Sequence, residues 1–332
     1  MIKTSSADSV TVVWNVISKV EKEDEEIRGL EKDGIIGQEL VKKRLEFYIS
    51  AHKAGISIPT LLFTGSHGLG KTYFAEKIAS SLNRRFVVGN AEAFDSVDSF
   101  VKIFLLEKVS GDTPVTVLID EAHMLKKDVT TFLLSLLNPN DKNVNEVSYG
   151  PITFRCDLSK VNFIFATTDA HEMFNPLRNR CESVYFDIYS KQEIIDILQF
   201  YLPKIDFTCD LEDLALSCRG RARDTYLIAK NIERYSLVNK CFQIDNNRWI
   251  ELKEIFGIKP MGLNKIELDI LKFISSHGPI SCVNLAMAFF VNENNVKSEL
   301  EVRLRELGFI TNTTKGRIVT ENGKEYLTEY LN

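Results

Sequence analysis

The spacing of apolar residues divides the chain into regions of different pattern. In the first, short apolar runs are separated by segments with helical spacing, which predicts strands that alternate with helices. The strand-like runs are TLLFTG from Thr60, RRFVVGN from Arg84, VTVLIDEAH from Val115, VNFIFATTD from Val161 and SVYFDI from Ser183. Because several of these runs are almost continuously apolar, they favour a parallel sheet that is covered by helices.

Further along the chain, apolar residues recur every three or four positions. Between about Ser190 and Ile258, the segments KQEIIDILQFYL, LEDLALSC and RDTYLIAKNIERY predict a small bundle of amphipathic helices. GIKPMGLN, from Gly257, contains Gly and Pro and predicts a linker. Three helical segments follow it, and then FITNT and RIVT flank a Lys-Gly-Arg turn. Three helices followed by a β-hairpin are typical of a winged helix.

These patterns predict four parts. Residues 1–33, which include the charged stretch EKEDEEIRGLEKD, are interpreted as an N-terminal arm. Residues 34–188 are expected to form an α/β domain with a parallel sheet, and residues 189–258 a small helical lid domain. Residues 262–332 are expected to form a C-terminal winged-helix domain.

Composition supports an arrangement of several domains and excludes some classes of protein. The chain has 332 residues, 44% of them hydrophobic, and a formal net charge of −5. Its six cysteines show no CxxC spacing, so neither a disulfide framework nor a zinc ribbon is expected. No apolar run reaches the roughly 18 residues of a membrane span, and the N-terminus lacks a signal-peptide pattern. We therefore expect a cytoplasmic protein with no membrane partner.

The stretch GSHGLGKT has the spacing of a phosphate-binding loop. It follows a predicted strand and begins a predicted helix, which is the context that such a loop requires. Lys71 is expected to reach the β- and γ-phosphates and Thr72 to bind Mg²⁺, whereas His67 is expected to be a neutral bystander. The candidate nucleotide-binding residues are Gly65, Ser66, His67, Gly68, Leu69, Gly70, Lys71, Thr72 and Tyr73.

Acidic residues end the buried strand VTVLID. Asp120 is expected to hold the Mg²⁺ hydration shell, and Glu121 to polarise a water for attack on the γ-phosphate. The alternative is that the two acids only cap a strand at the surface. Their position about 50 residues after the glycine loop favours the catalytic interpretation.

Threonines and arginines supply further candidates. Thr167 and Thr168 end another buried strand and could hydrogen-bond a γ-phosphate or the attacking water. The arginines lie in one loop and at the start of a helix in the small bundle, and each is either a solvated charge or a guanidinium offered to phosphate. These arginines are Arg178 and Arg180 in NPLRNRC, and Arg219, Arg221 and Arg223 in CRGRARD.

The order of IIGQE, GSHGLGKT, LIDEAH, ATTD, PLRNRC, RGRARD and GRIVT resembles the RuvB family of AAA+ ATPases over about residues 33–330. The resemblance implies an AAA+ fold, ATP and ADP as ligands with Mg²⁺, and a hexameric ring that moves branched duplex DNA. The chain departs from the family's GPPG loop, since Ser66 and His67 stand between the glycines.

The resemblance also implies roles for individual residues. Thr168 would be sensor 1, Arg180 an arginine finger that acts on a neighbouring subunit, and Arg223 sensor 2. The adenine pocket would be formed by Ile35, Ile36, Gly37 and Tyr189. A β-hairpin within NPNDKNVNEVSYGPITFRCDL would correspond to the family's docking site for RuvA.

The predicted winged helix is close to neutral. Residues 262–332 contain eight basic and nine acidic side chains, unlike a strong independent DNA-binding domain. Lys315 and Arg317 lie at the predicted wing turn and are the candidate DNA contacts. A module that binds protein rather than DNA is the alternative.

The leading hypothesis is an ATPase that branch-migrates DNA junctions. A second is an ATP-dependent DNA-binding switch or loader, and a third is a scaffold built on an inactive ATPase. The third is the weakest, because Lys71, Asp120 and Glu121 are all present.

Overall fold

The computed structural model describes residues 35–109, 113–138, 144–149 and 152–331. The predicted arm, 1–33, lies outside the described residues. The strands are β1 Leu61–Thr64, β2 Arg85–Asn90, β3 Val115–Asp120, β4 Val144–Tyr149, β5 Ile152–Asp157, β6 Val161–Thr167, β7 Glu182–Tyr185, β8 Asp206–Phe207, β9 Gln243–Ile244, β10 Ile310–Thr313 and β11 Gly316–Val319.

The main α-helices are α1 Glu39–Lys53, α2 Lys71–Ser81, α3 Lys127–Leu136, α4 Lys191–Tyr201, α5 Leu211–Ser217, α6 Ala222–Asn239, α7 Asn246–Phe256, α8 Lys265–His277, α9 Cys282–Ala288, α10 Val302–Glu306 and α11 Glu321–Leu331. Shorter or π-type helical segments are Ala91–Ala93, Val97–Ser99, Phe100–Val109, Ala122–Met124, Asn175–Arg178, Pro260–Gly262, Glu293–Asn295 and Val296–Leu300. Among the described helices, none has the length and apolar character that crossing a membrane requires.

A five-stranded parallel sheet, in the order β2-β3-β6-β1-β7, forms the centre of the first domain. The five predicted strand runs account for all of it. Thr64 at the end of β1 pairs with Thr167 at the end of β6, and Ile119 of β3 pairs with Phe165. The segments that follow β1, β3 and β6 therefore leave the sheet at the same edge, where ligands bind in open α/β sheets.

Apolar side chains cover both faces of this sheet. On one face, Phe74 of α2 packs edge-on against Phe186, with ring centroids 5.3 Å apart, and the same apolar cluster continues into the lid helices as far as Trp249. On the other face, Phe100 and Phe104 pack with Phe163 and their neighbours in a second cluster. The lid therefore shares a core with the nucleotide domain and is not an independent body.

The C-terminal module has its own apolar cluster, built from α8, α9, α10 and the β10–β11 hairpin. A final helix, α11, follows the hairpin and was not predicted. Its Tyr326 stacks on Phe309, with ring centroids 4.7 Å apart, and donates a hydrogen bond to the Pro260 carbonyl at 3.1 Å. The last helix thus closes the module against the linker that precedes it.

An antiparallel hairpin, β4–β5, lies between α3 and β6, where the sequence predicted one. The buried Asn145 fixes its base, because its amide donates to the carbonyls of Leu136 and Asn138 at 2.9 and 2.8 Å. The hairpin is therefore anchored at the end of α3.

Arginine side chains join the lid to the C-terminal module. Arg219 donates two hydrogen bonds to the buried carboxylate of Glu267, at 3.1 and 2.6 Å, and Arg221 donates one to Glu306 at 2.7 Å. Arg303 donates back to the carbonyl of Leu216 in α5, at 3.1 Å. Because these groups are largely buried, the contacts fix the module's orientation relative to the lid.

Candidate nucleotide-binding site

The glycine loop joins β1 to the N-terminus of α2. Gly68 and Gly70 have φ angles of 78° and 95°, which side chains rarely adopt. A Cβ atom at Gly65 would lie 2.7 Å from the Phe186 carbonyl oxygen, so that position has no room for one either. The loop can therefore wrap its backbone closely around an anion at the helix N-terminus.

Lys71, the first residue of α2, is buried within this loop. Its Nζ donates hydrogen bonds to the carbonyls of Gly65 and Ser66, at 2.6 and 2.9 Å. Burial lowers the pKa of the Lys71 ammonium, and the carboxylates of Asp120 and Glu121 oppose that change. The ammonium thus lies between the loop and the acidic pair, where it can move onto phosphate oxygens.

Asp120 and Glu121 lie at the end of β3 and line the same cavity as the loop. The Glu121 backbone has φ 51°, and its N–H donates to Oδ1 of Asp120 at 3.0 Å. Two imidazoles approach the Glu121 carboxylate. Nδ1 of His67 lies 3.5 Å from Oε1, and Nδ1 of His123 lies 3.6 Å from Oε2.

The two threonines at the end of β6 have different surroundings. Thr167 is 1% exposed, its Oγ1 lies 2.9 Å from Nδ1 of His123, and it accepts the Asp169 N–H at 3.1 Å. Thr168 is half-buried. Among the described residues that line the cavity, neither threonine occurs. The assignment of Thr168 as sensor 1 therefore stays a prediction.

The lid reaches the glycine loop at two points. The Tyr189 hydroxyl donates to the Leu69 carbonyl at 3.2 Å, and the Arg223 N–H donates to the Gly68 carbonyl at 3.1 Å. Burial raises the pKa of Tyr189, which keeps its hydroxyl a donor at neutral pH. Arg223, which begins α6 together with Ala222, lines the cavity, whereas Arg219 and Arg221 turn to the C-terminal module.

The cavity between loop and lid measures about 370 Å³, within the usual range for small-ligand sites. Ile35, Ile36 and Tyr189, which the family resemblance assigns to the adenine pocket, line it, and their contact with adenine stays a prediction. Gly37 does not. A Cβ atom there would lie 2.5 Å from Glu193 Oε1 and 2.8 Å from the Tyr189 ring, so this glycine lets the tyrosine close against the chain.

Several cavity residues were not predicted from the sequence. They come from α2, α4 and α6, and they are Phe74, Ile197, Phe200, Tyr201, Ala222 and Tyr226. Tyr201 and Tyr226 contact each other edge-on, with ring centroids 5.2 Å apart. Their only sequence signal was aromatic residues on amphipathic helices, a signal that core positions share.

Arg180 lies outside the cavity of its own chain. Its exposed side chain follows the short helix Asn175–Arg178 and donates to the Leu134 carbonyl of α3. Arg178 is half-buried and donates to the Ala170 carbonyl at 3.0 Å, which gives it a structural role in the same loop. Arg180 is thus the more exposed of the two, and its action on a neighbouring subunit stays a prediction.

The prediction that Arg317 is exposed at the wing turn as a DNA contact is wrong. The Arg317 guanidinium donates to both oxygens of Glu301, at 2.8 and 2.9 Å, and this hydrogen bonding raises its pKa. The Glu301 side chain is 0% exposed and that of Arg317 is 11% exposed. Arg317 therefore belongs to the module's core, and the exposed Lys315 is the remaining candidate for a DNA contact.

Residues 27–185 match the family model described as the Holliday junction DNA helicase RuvB P-loop domain, and residues 260–328 match the RuvB C-terminal winged helix domain. The Holliday junction branch migration complex subunit RuvB of Campylobacter lari is 30% identical over 298 residues, which cover 87% of each chain. The chain belongs to the RuvB family.

Other similar proteins are also RuvB subunits. The RuvB subunit of Fervidobacterium nodosum is 30% identical over 302 residues, which cover 88% of this chain and 86% of that one. The Thermotoga maritima RuvB Holliday junction branch migration motor superposes with a TM-score of 0.75 at 26% identity, covering 88% of this chain and 95% of that one. A mutant of that Thermotoga maritima protein, in which a proline is replaced by glycine, gives a TM-score of 0.76 at 27% identity, with coverages of 89% and 97%.

These matches confirm the predicted fold class, a RuvB-type AAA+ domain with a parallel sheet and a C-terminal winged helix. As in a P-loop ATPase, the site combines a glycine loop, a lysine and strand-end carboxylates. Membership of the RuvB family therefore agrees with the nucleotide-binding geometry of the site.

Proposed function

We propose that this protein is an ATP-hydrolysing motor that drives branch migration at Holliday junctions. The observation that carries the proposal is the convergence of Lys71, Asp120, Glu121 and the lid residue Arg223 on one cavity, in a RuvB-family chain that ends in a winged helix. Nucleotide bound between loop and lid contacts both at once. Hydrolysis therefore changes the contacts that hold the lid, and with them the angle of the winged helix.

The residues divide the chemistry among them. Lys71 contacts the β- and γ-phosphates, and Glu121 polarises the attacking water. Thr168 and Arg223 contact the γ-phosphate. The Thr72 hydroxyl and the Asp120 carboxylate are oxygen donors of the kind Mg²⁺ prefers, and when bound the ion would offset charge on the phosphates. Among the described residues, no three His, Cys, Asp or Glu side chains form a metal site, which suits an ion that keeps water and phosphate ligands.

We also propose how the protein assembles and where its domains divide. The ring is a hexamer in which Arg180 reaches the neighbouring subunit's γ-phosphate. The β4–β5 hairpin docks a RuvA-like junction-binding protein, and Lys315 contacts DNA phosphate. The domains span residues 34–188, 189–258 and 262–332.

The test uses the full chain with ATP, Mg²⁺ and either a synthetic four-way junction or a linear duplex of equal length. We expect ATP-dependent separation of the junction into duplexes. Glu121→Gln should bind ATP as the unaltered protein does but lose turnover by about 10²–10⁴-fold, the usual contribution of a general base. Arg223→Gln is a companion variant that should lower both turnover and nucleotide affinity.

The results separate the candidate functions. Junction binding that ATP strengthens without strand movement would indicate a loader or switch. Normal hydrolysis by Glu121→Gln would contradict the assignment of the base. No hydrolysis by the unaltered protein, with or without junction DNA, would overturn the proposed function.

A further inference from the structure

The carboxylate of Glu121 lies between two histidines that come from different parts of the fold. His67 belongs to the glycine loop and approaches Oε1 at 3.5 Å, whereas His123 belongs to the turn after β3 and approaches Oε2 at 3.6 Å. Each carboxylate oxygen therefore has its own imidazole neighbour. The side chains of His67, Glu121 and His123 are 63%, 25% and 14% exposed, so the arrangement becomes more enclosed from the loop inward.

The inner histidine is anchored to the sheet. Nδ1 of His123 lies 2.9 Å from Oγ1 of Thr167, and that hydroxyl accepts the Asp169 N–H at 3.1 Å. Thr167 is itself held by the sheet, because it ends β6 and its backbone pairs with Thr64 at the end of β1. A continuous series of side-chain contacts thus runs from the end of β6 through His123 and Glu121 to the glycine loop.

The backbone conformation of Glu121 and the freedom of its side chain make contacts to its carboxylate important. Its backbone φ of 51° is uncommon for a residue with a side chain, and backbones of this kind cluster at functional sites. A glutamate side chain that is free to rotate also loses rotamer entropy when one conformation is imposed. Contacts to both oxygens reduce that loss at the moment of reaction.

We propose that His67 and His123 are positioning residues that hold Glu121 in the conformation from which it activates water. At 3.5 and 3.6 Å the two Nδ1 atoms are neighbours of the carboxylate and not yet hydrogen-bonded to it, and a small side-chain rotation when nucleotide binds brings each imidazole N–H onto one carboxylate oxygen. The inference rests on the proposed role of Glu121 as the base. It assigns a function to His67, which stands where the family loop has a proline that could not make this contact.

Other charged groups lie along the same cavity. Asp120 precedes Glu121 and accepts its N–H, Lys71 is held by two loop carbonyls, and Arg223 lies on the lid against Gly68. Among the described residues, the basic side chains that lie beside the Glu121 carboxylate are the two histidines. They are therefore the side chains best placed to orient its carboxylate.

The test measures steady-state ATP hydrolysis by the full chain with Mg²⁺ and without DNA. His67→Ala and His123→Ala should each lower kcat about tenfold, since misplacing a reacting group by about 1 Å costs up to 10²-fold, while KM for ATP stays within about twofold. His67→Asn and His123→Asn keep one N–H donor and should recover most of the lost kcat. His277→Ala, an exposed histidine in α8 far along the chain, is the matched control and should match the unaltered protein.

A double-mutant comparison distinguishes positioning from other roles. Adding His67→Ala to Glu121→Gln should cause little further loss, because the base through which His67 acts is already gone. A full tenfold loss in that background, a rise in KM instead of a fall in kcat, or no effect of either alanine variant would overturn the inference. Those outcomes leave the proposed ATPase intact, whereas failure of the unaltered protein to hydrolyse ATP would remove both.

Discussion

Replacing Arg317 with alanine is expected to damage the winged helix itself, rather than only its contact with DNA. The guanidinium forms two hydrogen bonds with Glu301, whose side chain is 0% exposed. Its removal leaves a carboxylate that is buried and has lost its main partner. Arg305 still contacts Glu301, but that side chain is 41% exposed and cannot replace the enclosed pair.

The structure sets the size of this effect. Breaking a buried ion pair by removing one partner costs about 3–5 kcal/mol, and the remaining Arg305 contact favours the lower end, about 3 kcal/mol. For a module of this size, 1 kcal/mol shifts the melting midpoint by about 4–8 °C. The C-terminal module should therefore melt roughly 12–24 °C lower, while the nucleotide domain is unchanged.

Hydrogen exchange of the full-length protein, followed by mass spectrometry, measures the two regions separately. Peptides from residues 262–332 should exchange faster in Arg317→Ala, and peptides from the β1–α2 loop should not. Lys315→Ala is the matched control, since its side chain is exposed in the same hairpin turn. It should leave exchange unaltered but weaken DNA binding and reduce the salt dependence of binding by about one phosphate contact.

A second comparison examines the cause. Replacing both partners, with Arg317→Met and Glu301→Leu, should recover most of the stability, because apolar groups of similar volume often substitute for a buried ion pair. If Arg317→Ala lost DNA binding while exchange in the module stayed normal, the argument from burial would be refuted and the original prediction of a DNA contact would return.

Three further predictions concern the site and the contacts between domains. Arg180→Ala subunits mixed with Glu121→Gln subunits should recover ATP turnover that neither variant shows alone, because intact sites then receive a neighbour's Arg180; mixtures that stay inactive would rule out action between subunits. Gly37→Ala should weaken ATP binding at least tenfold by pushing Tyr189 and Glu193 away, as measured by fluorescent-nucleotide titration, and normal affinity would contradict the close contact. Glu306→Arg should leave ATP turnover without DNA unchanged and abolish the stimulation of turnover by junction DNA. Adding Arg221→Glu in the same chain should restore that stimulation. If junction DNA still stimulates Glu306→Arg, the Arg221–Glu306 pair does not couple DNA binding to ATP turnover.

Short sequence motifs predicted the parts of the site whose residues lie close together along the chain. The glycine loop, Lys71 and the Asp120–Glu121 pair each follow directly from a short motif, and the parallel sheet that contains β1, β3 and β6 follows from apolar runs. Such features require no knowledge of distant residues. They lie together because parallel strands deliver their following segments to one edge of the sheet.

What could not be predicted depends on partners far apart in the chain. Arg317 looked like a wing-tip cation because nothing in its neighbourhood shows that Glu301 is buried beside it. Tyr201 and Tyr226 have the spacing of core residues on amphipathic helices, and only the packing of α4 against α6 turns them to the cavity. Helix α11 was not predicted, and its Gly323 depends on a distant contact, because a Cβ atom there would lie 2.4 Å from the Phe309 carbonyl oxygen.

The five residues from Arg219 to Arg223 contact both the glycine loop and the C-terminal module. Arg223 bonds the glycine loop through its N–H, and Arg219 and Arg221 grip Glu267 and Glu306 of the winged helix. In the proposed motor this segment would act as the fulcrum of a lever, because it joins the proposed phosphate contact of Arg223 to the module whose far turn holds Lys315. The displacement of DNA in that proposal would be set by the distance from this segment to Lys315, so that a small rotation at the nucleotide would suffice.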